Sequence, residues 1–413
     1  MTHMLRCPVC GEVFNDRGEL TCPAGHPGLL RAVYSEKQLI LRDEPGLFRY
    51  AGWLPVQQIP ETMSGPVTFR SDGFAAEAGL SNLWIGFSGY APERNAHIPT
   101  CSFKELEAWP TLERLKETGC GTLVIASAGN TGRAFAEAAQ GMDIPIILVV
   151  PTRSLYRIWT TRPAENVTLI AVDGDYSDAI AIADRICELP GFTPEGGARN
   201  VARRDGMGTV FLDAAVTTGR IPDHYVQAVG SGTGAIAAWE AALRLIGDGR
   251  YGGALPRLHL AQNLPFIPLV SAWQAQRREI IPAIDMPHAE EAIRDVHADV
   301  LTNRRPPYAV AGGLFDALSD CGGRMYGITN HDADRAGALF EETEGIDLDP
   351  AAAVACAALL VALERGEILE DDCTLLNITG GGYRAVPEKY PVLPVEIIQP
   401  QEMPSCIAEL HHV

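Results

Sequence analysis

Short hydrophobic runs alternate with polar, glycine-rich turns along most of the chain. Six of these runs predict buried strands at residues 121–126, 144–150, 167–172, 225–229, 259–262 and 375–378. Apolar positions at helical spacing predict four helices, at residues 133–140, 176–187, 235–246 and 351–362. Strands that alternate with helices are typical of parallel α/β sheets. The last helix is rich in alanine, and its Cys356 fits a small core residue better than a nucleophile.

Three of the predicted strands end in a glycine-rich turn. The turns consist of Ser127, Ala128, Gly129, Asn130, Thr131 and Gly132; of Gly230, Ser231, Gly232, Thr233 and Gly234; and of Thr379, Gly380, Gly381 and Gly382. Folds of this class bind ligands at the carboxyl ends of their strands. The first turn carries an amide and two hydroxyls, which suit a carboxylate or a ring oxygen. The second precedes a helix and suits a phosphate, because the backbone N–H groups and the helix dipole both favour an anion.

The second turn also satisfies a dinucleotide-binding pattern, with Gly230, Gly232 and Ala235 at the required spacing. Such a site needs an acidic residue at the end of the next strand to bind the ribose hydroxyls, whereas Gln262 and Asn263 stand there. A nucleotide-dependent oxidoreductase is therefore the weaker alternative.

Composition and charge narrow the range of partners. The 413 residues, 46% of them hydrophobic, indicate a large core divided among two or three domains. The net charge of -19 argues against a nucleic-acid or anionic-membrane partner, because binding phosphate backbones requires clustered basic residues. No apolar run reaches the length of a membrane span, and no signal-peptide core follows the first residues. We therefore expect a cytoplasmic protein that acts on small molecules.

Four potential metal ligands lie close together near the start of the chain. Cys7 and Cys10 are separated by two residues, and Cys22 and His26 by three. Two such pairs can supply a tetrahedral zinc site, with a knuckle turn helped by Gly11 and Gly25. We predict a structural zinc ribbon, because some twenty residues are too few for a core. Free cysteines in a flexible terminus and a nucleic-acid-binding ribbon are the alternatives.

Lys104 is the candidate catalytic residue. A lysine becomes a nucleophile when it is desolvated or placed near other cations, which lowers its pKa. Lys104 follows an aromatic residue and opens a segment in which Leu106, Leu112 and Leu115 suggest one face of a helix. Pro110 is expected to interrupt that helix.

Together these motifs resemble the fold-type II family of pyridoxal-phosphate enzymes, in particular the threonine synthases and their relatives. That family carries its cofactor lysine in a Ser-Phe-Lys motif, here Ser102-Phe103-Lys104. The resemblance implies that pyridoxal 5′-phosphate is the cofactor and that Lys104 binds it and removes the substrate Cα proton. Asn130 would contact the cofactor's 3′ oxygen and Thr379 its pyridine nitrogen. The cofactor phosphate would be held by Gly230, Ser231, Gly232, Thr233 and Gly234.

The chain departs from the usual threonine synthase pattern at two places. The lysine is usually followed by an acidic residue, an arginine and a glycine, but here by Glu105, Leu106 and Glu107. Gly208 stands where a lysine usually precedes the threonine, here Thr209. These departures argue against ordinary threonine synthase activity. With them, the chain resembles the cysteate synthases of methanogenic archaea, a branch of the same family.

The resemblance to that branch implies a specific reaction. Phosphate is eliminated from O-phospho-L-serine, and sulfite adds to the aminoacrylate to give L-cysteate for coenzyme M biosynthesis. Threonine synthase and O-phosphoserine-dependent cysteine synthase activities are the alternatives within the family. A threonine hydroxyl at the cofactor nitrogen does not keep that nitrogen protonated, which favours elimination over transamination.

Two oxyanions must then be bound, phosphate and sulfite. Guanidinium groups suit both, and five arginines form a local basic set in an acidic chain: Arg153, Arg157, Arg162, Arg203 and Arg204. The predicted substrate-binding residues are Ser127, Ala128, Gly129, Thr131, Arg153 and Arg157.

The predicted architecture is an α/β protein with two doubly wound, parallel or mixed sheets and an N-terminal extension that resembles a zinc ribbon. We expect the extension at residues 1–30, a larger cofactor-binding domain at residues 31–95 and 215–413, and a smaller mobile domain at residues 96–214. Relatives in this fold are commonly dimeric, so we expect a homo-oligomer.

Overall fold

The computed structural model describes residues 3–119 and 121–407, and its larger sheet has six strands. These strands are β4 (Val67–Arg70), β5 (Leu83–Phe87), β13 (His224–Ala228), β14 (Arg257–Asn263), β15 (Arg324–Ile328) and β16 (Thr374–Ile378). Their order is β15-β14-β13-β16-β5-β4, and every pair is parallel except β4 with β5. The antiparallel strand β4 lies at the edge of the sheet, so the central strands form a parallel block that helices cover on both faces.

The second sheet has five strands, all parallel. They are β8 (Thr122–Ala126), β9 (Ile146–Pro151), β11 (Val167–Val172), β12 (Phe192–Pro194) and β18 (Glu396–Ile398). The order is β12-β8-β9-β11-β18. The chain therefore returns to this sheet near its C-terminal end, after completing the larger one.

Three small strand groups complete the sheet structure of the described residues. The N-terminal extension contains β1 (His3–Arg6), β2 (Val13–Phe14) and β3 (Arg31–Tyr34), in the antiparallel order β2-β1-β3. The two short antiparallel pairs are β6 (Tyr90–Ala91) with β7 (Ala96–His97), and β10 (Trp159–Thr160) with β17 (Tyr390–Pro391).

Helices pack on both faces of each sheet. They are α1 (Gly73–Ala78), α2 (Lys104–Thr118), α3 (Asn130–Met142), α4 (Tyr176–Cys187), α5 (Val201–Thr218), α6 (Thr233–Asp248), α7 (Pro268–Gln274), α8 (Pro282–Asp285), α9 (Ala289–Arg294), α10 (Leu314–Asp320), α11 (Asn330–Glu344) and α12 (Pro350–Glu364). The short 3₁₀ helices are Gly46–Trp53, Pro92–Arg94, Thr152–Arg157, Gly197–Arg199 and Asp299–Leu301. Among the described helices, none has both the length and the apolar character needed to span a membrane.

Helices α2, α5 and α6 join the cores of the two sheets. Met207 and Val210 of α5 and Ala237 of α6 belong to the same apolar cluster as the inward face of the five-stranded sheet. Helix α12 covers the opposite face of the larger sheet, and Cys356 is fully buried there. Burial raises the pKa of the Cys356 thiol, as expected for a core residue.

The predicted break at Pro110 is wrong, because α2 is a continuous helix with this proline inside it. Proline cannot donate a hydrogen bond to the carbonyl four residues earlier, which is that of Leu106. The backbone of Gly206 on α5 packs against this carbonyl. A Cβ on Gly206 would lie 2.1 Å from the Leu106 oxygen and 2.8 Å from Pro110 Cγ. A glycine on the neighbouring helix therefore accommodates the proline.

The α/β architecture with two sheets and an N-terminal extension is confirmed. All six predicted strands exist, with ends displaced by up to two residues. Strand β5, between β16 and β4, was not predicted, and neither was α5, which carries the Arg203 region. The division into domains stays a prediction, and its residues 1, 2, 120 and 408–413 lie outside the described part of the chain.

Candidate functional site

A cavity of about 1030 Å³ lies at the carboxyl ends of strands from both sheets. Its wall includes every residue predicted to bind cofactor or substrate: Lys104, Ser127, Ala128, Gly129, Asn130, Thr131, Arg153, Arg157, Gly230, Ser231, Gly232, Thr233, Gly234 and Thr379. Much of the wall is formed by the segments that directly follow β8, β9, β13 and β16 in the chain. Parallel strands bring their carboxyl ends to one edge, so motifs distant in sequence meet there.

Lys104 is the first residue of α2, at the base of the cavity. The backbone N–H of Phe103 donates to the Thr379 carbonyl at 2.9 Å, which ties the lysine turn to the end of β16. Lys104 Nζ lies 4.6 Å from the centre of the Phe103 ring, and its side chain is only 20% exposed. The aromatic residue that precedes Lys104 in sequence therefore also lies against its amine in the structure.

Glu105 holds the turn that precedes Lys104. Its carboxylate is fully buried and accepts hydrogen bonds from the Thr100 hydroxyl at 2.6 Å, from Trp109 Nε1 at 3.2 Å and from the Ser64 hydroxyl. Burial, together with the nearby charge of Glu137, raises the pKa of Glu105 to about 7. The acidic residue after the lysine therefore faces the protein interior.

Two buried carboxylates and an arginine lie beside Lys104. Glu107 Oε2 is 3.4 Å from Lys104 Nζ, and Glu107 Oε1 is 2.8 Å from an Arg203 nitrogen. Arg203 also contacts Glu195 at 2.7 Å. Burial lowers the pKa of Lys104, against the attraction of Glu107, which raises it. The amine is therefore easier to deprotonate than an exposed lysine.

The asparagine turn is closed by its own serine. Ser127 Oγ accepts hydrogen bonds from the backbone N–H groups of Gly129 at 3.2 Å and Gly132 at 2.8 Å. Thr131 Oγ1 lies 3.4 Å from Glu107. The Ser127 hydroxyl therefore stabilises the turn itself, whereas the Thr131 hydroxyl contacts a side chain outside the turn.

Two residues that sequence reasoning missed orient the Asn130 amide. Arg133 donates to Asn130 Oδ1 at 2.8 Å, and Asn130 Nδ2 donates to Asp349 Oδ2 at 3.4 Å. Tyr383 joins them, donating to Asp349 at 2.9 Å. Neither Arg133 nor Asp349 stands in a recognisable motif. An arginine among the mainly small and apolar residues of α3 was the available sequence signal, because such a position is usually buried and a buried arginine needs a partner.

The second glycine turn approaches its neighbours too closely for side chains. Gly232 has a φ of 80°, in the left-handed region that favours glycine. A Cβ on Gly234 would lie 2.6 Å from Gln227 Nε2. The hydroxyls of Ser231 and Thr233 are 2.8 Å apart, at the start of α6. A turn of this form at the N-terminus of a sixteen-residue helix is suited to a phosphate group.

The arginines predicted for oxyanions separate into three groups. Arg153 is exposed at the cavity wall, and Arg157 is also in the wall but paired with Asp299 at 2.7 Å. Arg203 also lines the cavity, and it is paired with the carboxylates of Glu107 and Glu195. Arg162 and Arg204 are not part of the wall; Arg204 is buried against Glu240 at 3.0 Å and holds backbone carbonyls.

Three further arginines in the wall were not predicted. They are Arg294, Arg304 and Arg305, in the segment from α9 to the loop after Asp299–Leu301. Arg304 lies 3.8 Å from Glu290, at the limit of an ion pair. Their pairing in the sequence, Arg304 next to Arg305, was the available signal. The cavity therefore carries a concentration of cations in an otherwise acidic chain.

Gly208 does not face the cavity, although the sequence comparison with threonine synthases drew attention to it. A Cβ on Gly208 would lie 3.3 Å from the Ala237 carbonyl oxygen and 3.6 Å from Ala241 Cβ. This position is the crossing of α5 and α6. A lysine here would require the two helices to move apart, so the departure reflects close helix packing.

The four predicted metal ligands converge. The ligand atoms of Cys7, Cys10, Cys22 and His26 all lie within 4.8 Å of one another. Each pair is accompanied by a glycine with positive φ: Gly11, directly after Cys10, has a φ of 75°, and Gly25, directly before His26, has a φ of 77°. Two thiols from one turn, with a thiol and an imidazole from the other, are a donor set that suits tetrahedral zinc.

Comparison with known proteins identifies related chains. Residues 92–380 match the family of pyridoxal-phosphate dependent enzymes. The cysteate synthase of Methanoculleus marisnigri is 59% identical over 395 residues, covering 95% of this chain and 92% of that protein. The cysteate synthase of Methanosarcina barkeri is 54% identical over 404 residues, covering 97% of each.

Solved structures share the fold at low sequence identity. Serine racemase from Dictyostelium discoideum superposes with a TM-score of 0.55 at 18% identity, covering 76% of this chain and 91% of that one. A pyridoxal 5′-phosphate-dependent aspartate racemase gives a TM-score of 0.58 at 15% identity, covering 78% and 92%. These similarities concern the fold alone.

Proposed function

The chain belongs to the pyridoxal-phosphate dependent enzymes and, within them, to the family of the archaeal cysteate synthases, and we propose that it is active as a cysteate synthase. The proposed reaction replaces the phosphate of O-phospho-L-serine by sulfite and yields L-cysteate and phosphate. Identity of 54% to 59% over almost the whole chain is the observation that carries this proposal. The alternatives, threonine synthase and cysteine synthase, have no comparable support.

The cavity fits pyridoxal phosphate. Its glycine turn at the start of α6 suits the phosphate group, and side chains on two of these glycines would collide with Gln227 or Leu314. In our proposal the residues that hold the cofactor are Lys104, Asn130, Gly230, Ser231, Gly232, Thr233, Gly234 and Thr379. When bound, pyridoxal phosphate supplies an electron sink that acidifies the Cα proton of an amino acid and allows a β-substituent to leave.

Lys104 carries the proton transfers in this proposal. Its Nζ takes the proton from the substrate Cα and returns one to the same carbon at the end of the reaction. Burial favours the neutral amine that this role requires, because it lowers the pKa of Lys104. The Phe103 ring and Glu107 limit the directions that the side chain can take.

In our proposal the cavity wall binds three anionic groups: the substrate carboxylate, the leaving phosphate and the entering sulfite. The turn formed by Ser127, Ala128, Gly129 and Thr131 is the proposed site for the substrate carboxylate. Arg153 and Arg157 are proposed to bind the oxyanions that leave and enter, phosphate and then sulfite. Bidentate guanidinium contacts orient such groups and stabilise the charge on the departing phosphate.

Product analysis tests the reaction. Purified protein loaded with pyridoxal phosphate is incubated with O-phosphoserine and sulfite, and products are identified by mass spectrometry. We expect L-cysteate and phosphate in equal amounts. Parallel reactions with O-phosphohomoserine and water, and with O-phosphoserine and sulfide, test the alternatives. Threonine or cysteine formed faster than cysteate would overturn the proposal.

We propose that the ribbon holds a structural zinc ion, and that the protein is a cytoplasmic homo-oligomer. The convergence of Cys7, Cys10, Cys22 and His26 supports the metal. Exposed Leu393, Val395 and Ile397, around the edge strand β18, support self-association, because such an apolar row is unusual on a free surface. Light scattering coupled to gel filtration measures the assembly, and a monomer at all concentrations would contradict it.

A further inference from the structure

A buried cluster of four charged side chains ends at Lys104. Glu107 is one turn further along α2, fully buried, with one carboxylate oxygen 3.4 Å from Lys104 Nζ. Its other oxygen lies 2.8 Å from Arg203, whose second nitrogen contacts Glu195 at 2.7 Å. The cluster thus pairs two cations with two anions beside the cavity. Glu107 occupies a position where threonine synthases usually have glycine, and the mechanism above gives it no chemical part.

We propose that Glu107 is a positioning residue that orients the Lys104 side chain and exchanges one proton with its Nζ. This inference rests on the proposed function, in which Lys104 is the cofactor lysine. In the exchange an N–H bond of the ammonium breaks and an O–H bond forms on Glu107 Oε2. The products are a neutral amine and a neutral carboxylic acid, and the neutral amine is the reactive form of lysine.

Charge balance favours Glu107 as the acceptor. If Lys104 lost its proton to water, the cluster would keep one cation against two carboxylates, and a buried uncompensated charge is costly. If the proton moves to Glu107, Arg203 and Glu195 remain as a neutral pair. Burial acts in the same direction, because it lowers the pKa of Lys104 and raises the pKa of Glu107.

The other groups facing this pair are poorer acceptors. Arg203 on α5 stays charged, because Glu107 and Glu195 outweigh burial and raise its pKa. Burial raises the pKa of Tyr176 on α4, so its phenol stays neutral. Glu195, after β12, bonds to Arg203 and not to the lysine. In addition, the Thr131 hydroxyl on α3 lies 3.4 Å from Glu107 Oε1, and a neutral hydroxyl is a much weaker proton acceptor than a carboxylate.

The test measures the reactivity of Lys104 as a function of pH. Full-length protein freed of cofactor is reductively methylated at a series of pH values, and peptide mass spectrometry quantifies the labelling of Lys104. Glu107→Gln removes the neighbouring anion and should shift the midpoint of this profile down by about one pH unit or more. Arg203→Met removes a cation and should shift the midpoint up. If Glu107 and Arg203 only stabilised the fold, the two variants would not be expected to shift the midpoint in opposite directions.

Glu113→Gln is the matched control. Glu113 is a buried carboxyl on the same helix, and the charged groups that affect it are Lys116 and Glu117 rather than Lys104. Its replacement should leave the midpoint for Lys104 unchanged. A Glu107→Gln profile that coincides with that of Glu113→Gln would overturn the proposal. A wrong substrate assignment would leave all these profiles unaltered, so failure of the proposed function is recognised separately.

A measurement on the unaltered protein covers the case in which the variants do not fold. Infrared difference spectra are recorded as pyridoxal phosphate is added to the full chain. Occupation of Lys104 should transfer its proton to Glu107, so a protonated-carboxyl band should appear. Cofactor binding without such a band would contradict the proton exchange.

Discussion

Lys104 lies with the Phe103 ring on one side and a buried carboxylate on the other. Desolvation alone would make this lysine a weak base, and Glu107 partly restores its proton affinity. The pKa of Lys104 is thus set by two opposing effects, burial, which lowers it, and the charge of Glu107, which raises it. The sequence motif predicted the role of this lysine, and only the structure shows the charged neighbours on α2 and α5 that shift its pKa.

Replacing Lys104 by alanine should lower cysteate formation by roughly a thousandfold or more, because Lys104 is the only lysine among the described residues that line the cavity. It should also abolish the long-wavelength absorbance of the bound cofactor. Steady-state kinetics and absorbance spectra measure the two effects. Lys116→Ala, near the other end of the same helix, is the control and should behave as the unaltered protein. Retention of the absorbance in Lys104→Ala would contradict the assignment.

Thr379 tests the electronic part of the proposal. Aspartate at this position would keep the cofactor's ring nitrogen protonated, and we expect phosphate release to slow by about tenfold, equivalent to about 1.4 kcal/mol in the barrier. Stopped-flow measurement of phosphate release reports this step. Thr379→Ser retains the hydroxyl and should remain close to the unaltered rate. Equal rates for the aspartate and serine variants would argue against a contact with the ring nitrogen.

The elements around the cavity are held by contacts between short helices. Arg157, at the end of Thr152–Arg157, reaches Asp299, at the start of Asp299–Leu301, with a separation of 2.7 Å. The two elements follow strands of different sheets, so this ion pair bridges the cavity wall. Asp299 occupies one terminal nitrogen of the Arg157 guanidinium and partly neutralises its charge, so it competes with a substrate oxyanion for this arginine.

Asp299→Asn should therefore lower the KM for O-phosphoserine. Both partners are partly exposed, and such pairs are worth up to about 1 kcal/mol, so the expected change is at most about fivefold. Initial-rate kinetics at several salt concentrations measure it. Glu341→Gln, which breaks an exposed pair with Arg384 outside the cavity wall, is the control. An unchanged KM would mean that Arg157 does not bind the substrate.

The crossing of α2 and α5 depends on Gly206. A methyl group there would collide with the Leu106 carbonyl, and we expect Gly206→Ala to lower the free energy of unfolding by about 1–3 kcal/mol. Chemical denaturation gives this quantity. Gly247→Ala is the matched control, since Gly247 is an exposed helical glycine with nothing within 4 Å of its would-be Cβ. That control should gain about 0.5–1 kcal/mol; a loss in both variants would contradict the steric argument.

On the scale of the whole molecule, the N-terminal ribbon is joined to the same helices that build the cavity. Asp16 accepts two hydrogen bonds from Arg114 of α2, at 2.7 and 2.6 Å, and both side chains are buried. Arg114 also donates to Asn200, the N-cap of α5, at 3.1 Å. The ribbon therefore braces α2 and α5 from the side away from Lys104.

Removal of the proposed zinc ion should lower the melting temperature of the whole chain, because in our proposal the metal holds the ribbon together. Cys10→Ser is the best variant, since Cys10 is the exposed ligand and its loss leaves the apolar packing intact. Elemental analysis should find about one zinc per chain before the substitution and much less after it. Cys187→Ser, outside the cluster, is the control. If the unaltered protein contains no metal after purification in buffers that contain zinc, the proposed site is refuted.

The sequence by itself determined the features that depend on local chemistry. Hydrophobic runs predicted the parallel strands, and three glycine turns after them predicted the cavity edge, because the period of apolar residues and the freedom of glycine act over a few residues. Lys104, Asn130 and Thr379 could be named in the same way. The Cys and His spacing predicted a metal site, and the four side chains lie together in the structure.

Only the tertiary structure decided the features that depend on contacts between distant segments. It inserted β5 between β16 and β4, kept α2 continuous through Pro110 with the help of Gly206, and directed Gly208 at α6 instead of the cavity. It also paired Glu107 with Arg203 and engaged Arg157 with Asp299. Residue type sets which partners a side chain can accept, but which of them lies within 3 Å is set by the packing of whole helices and sheets.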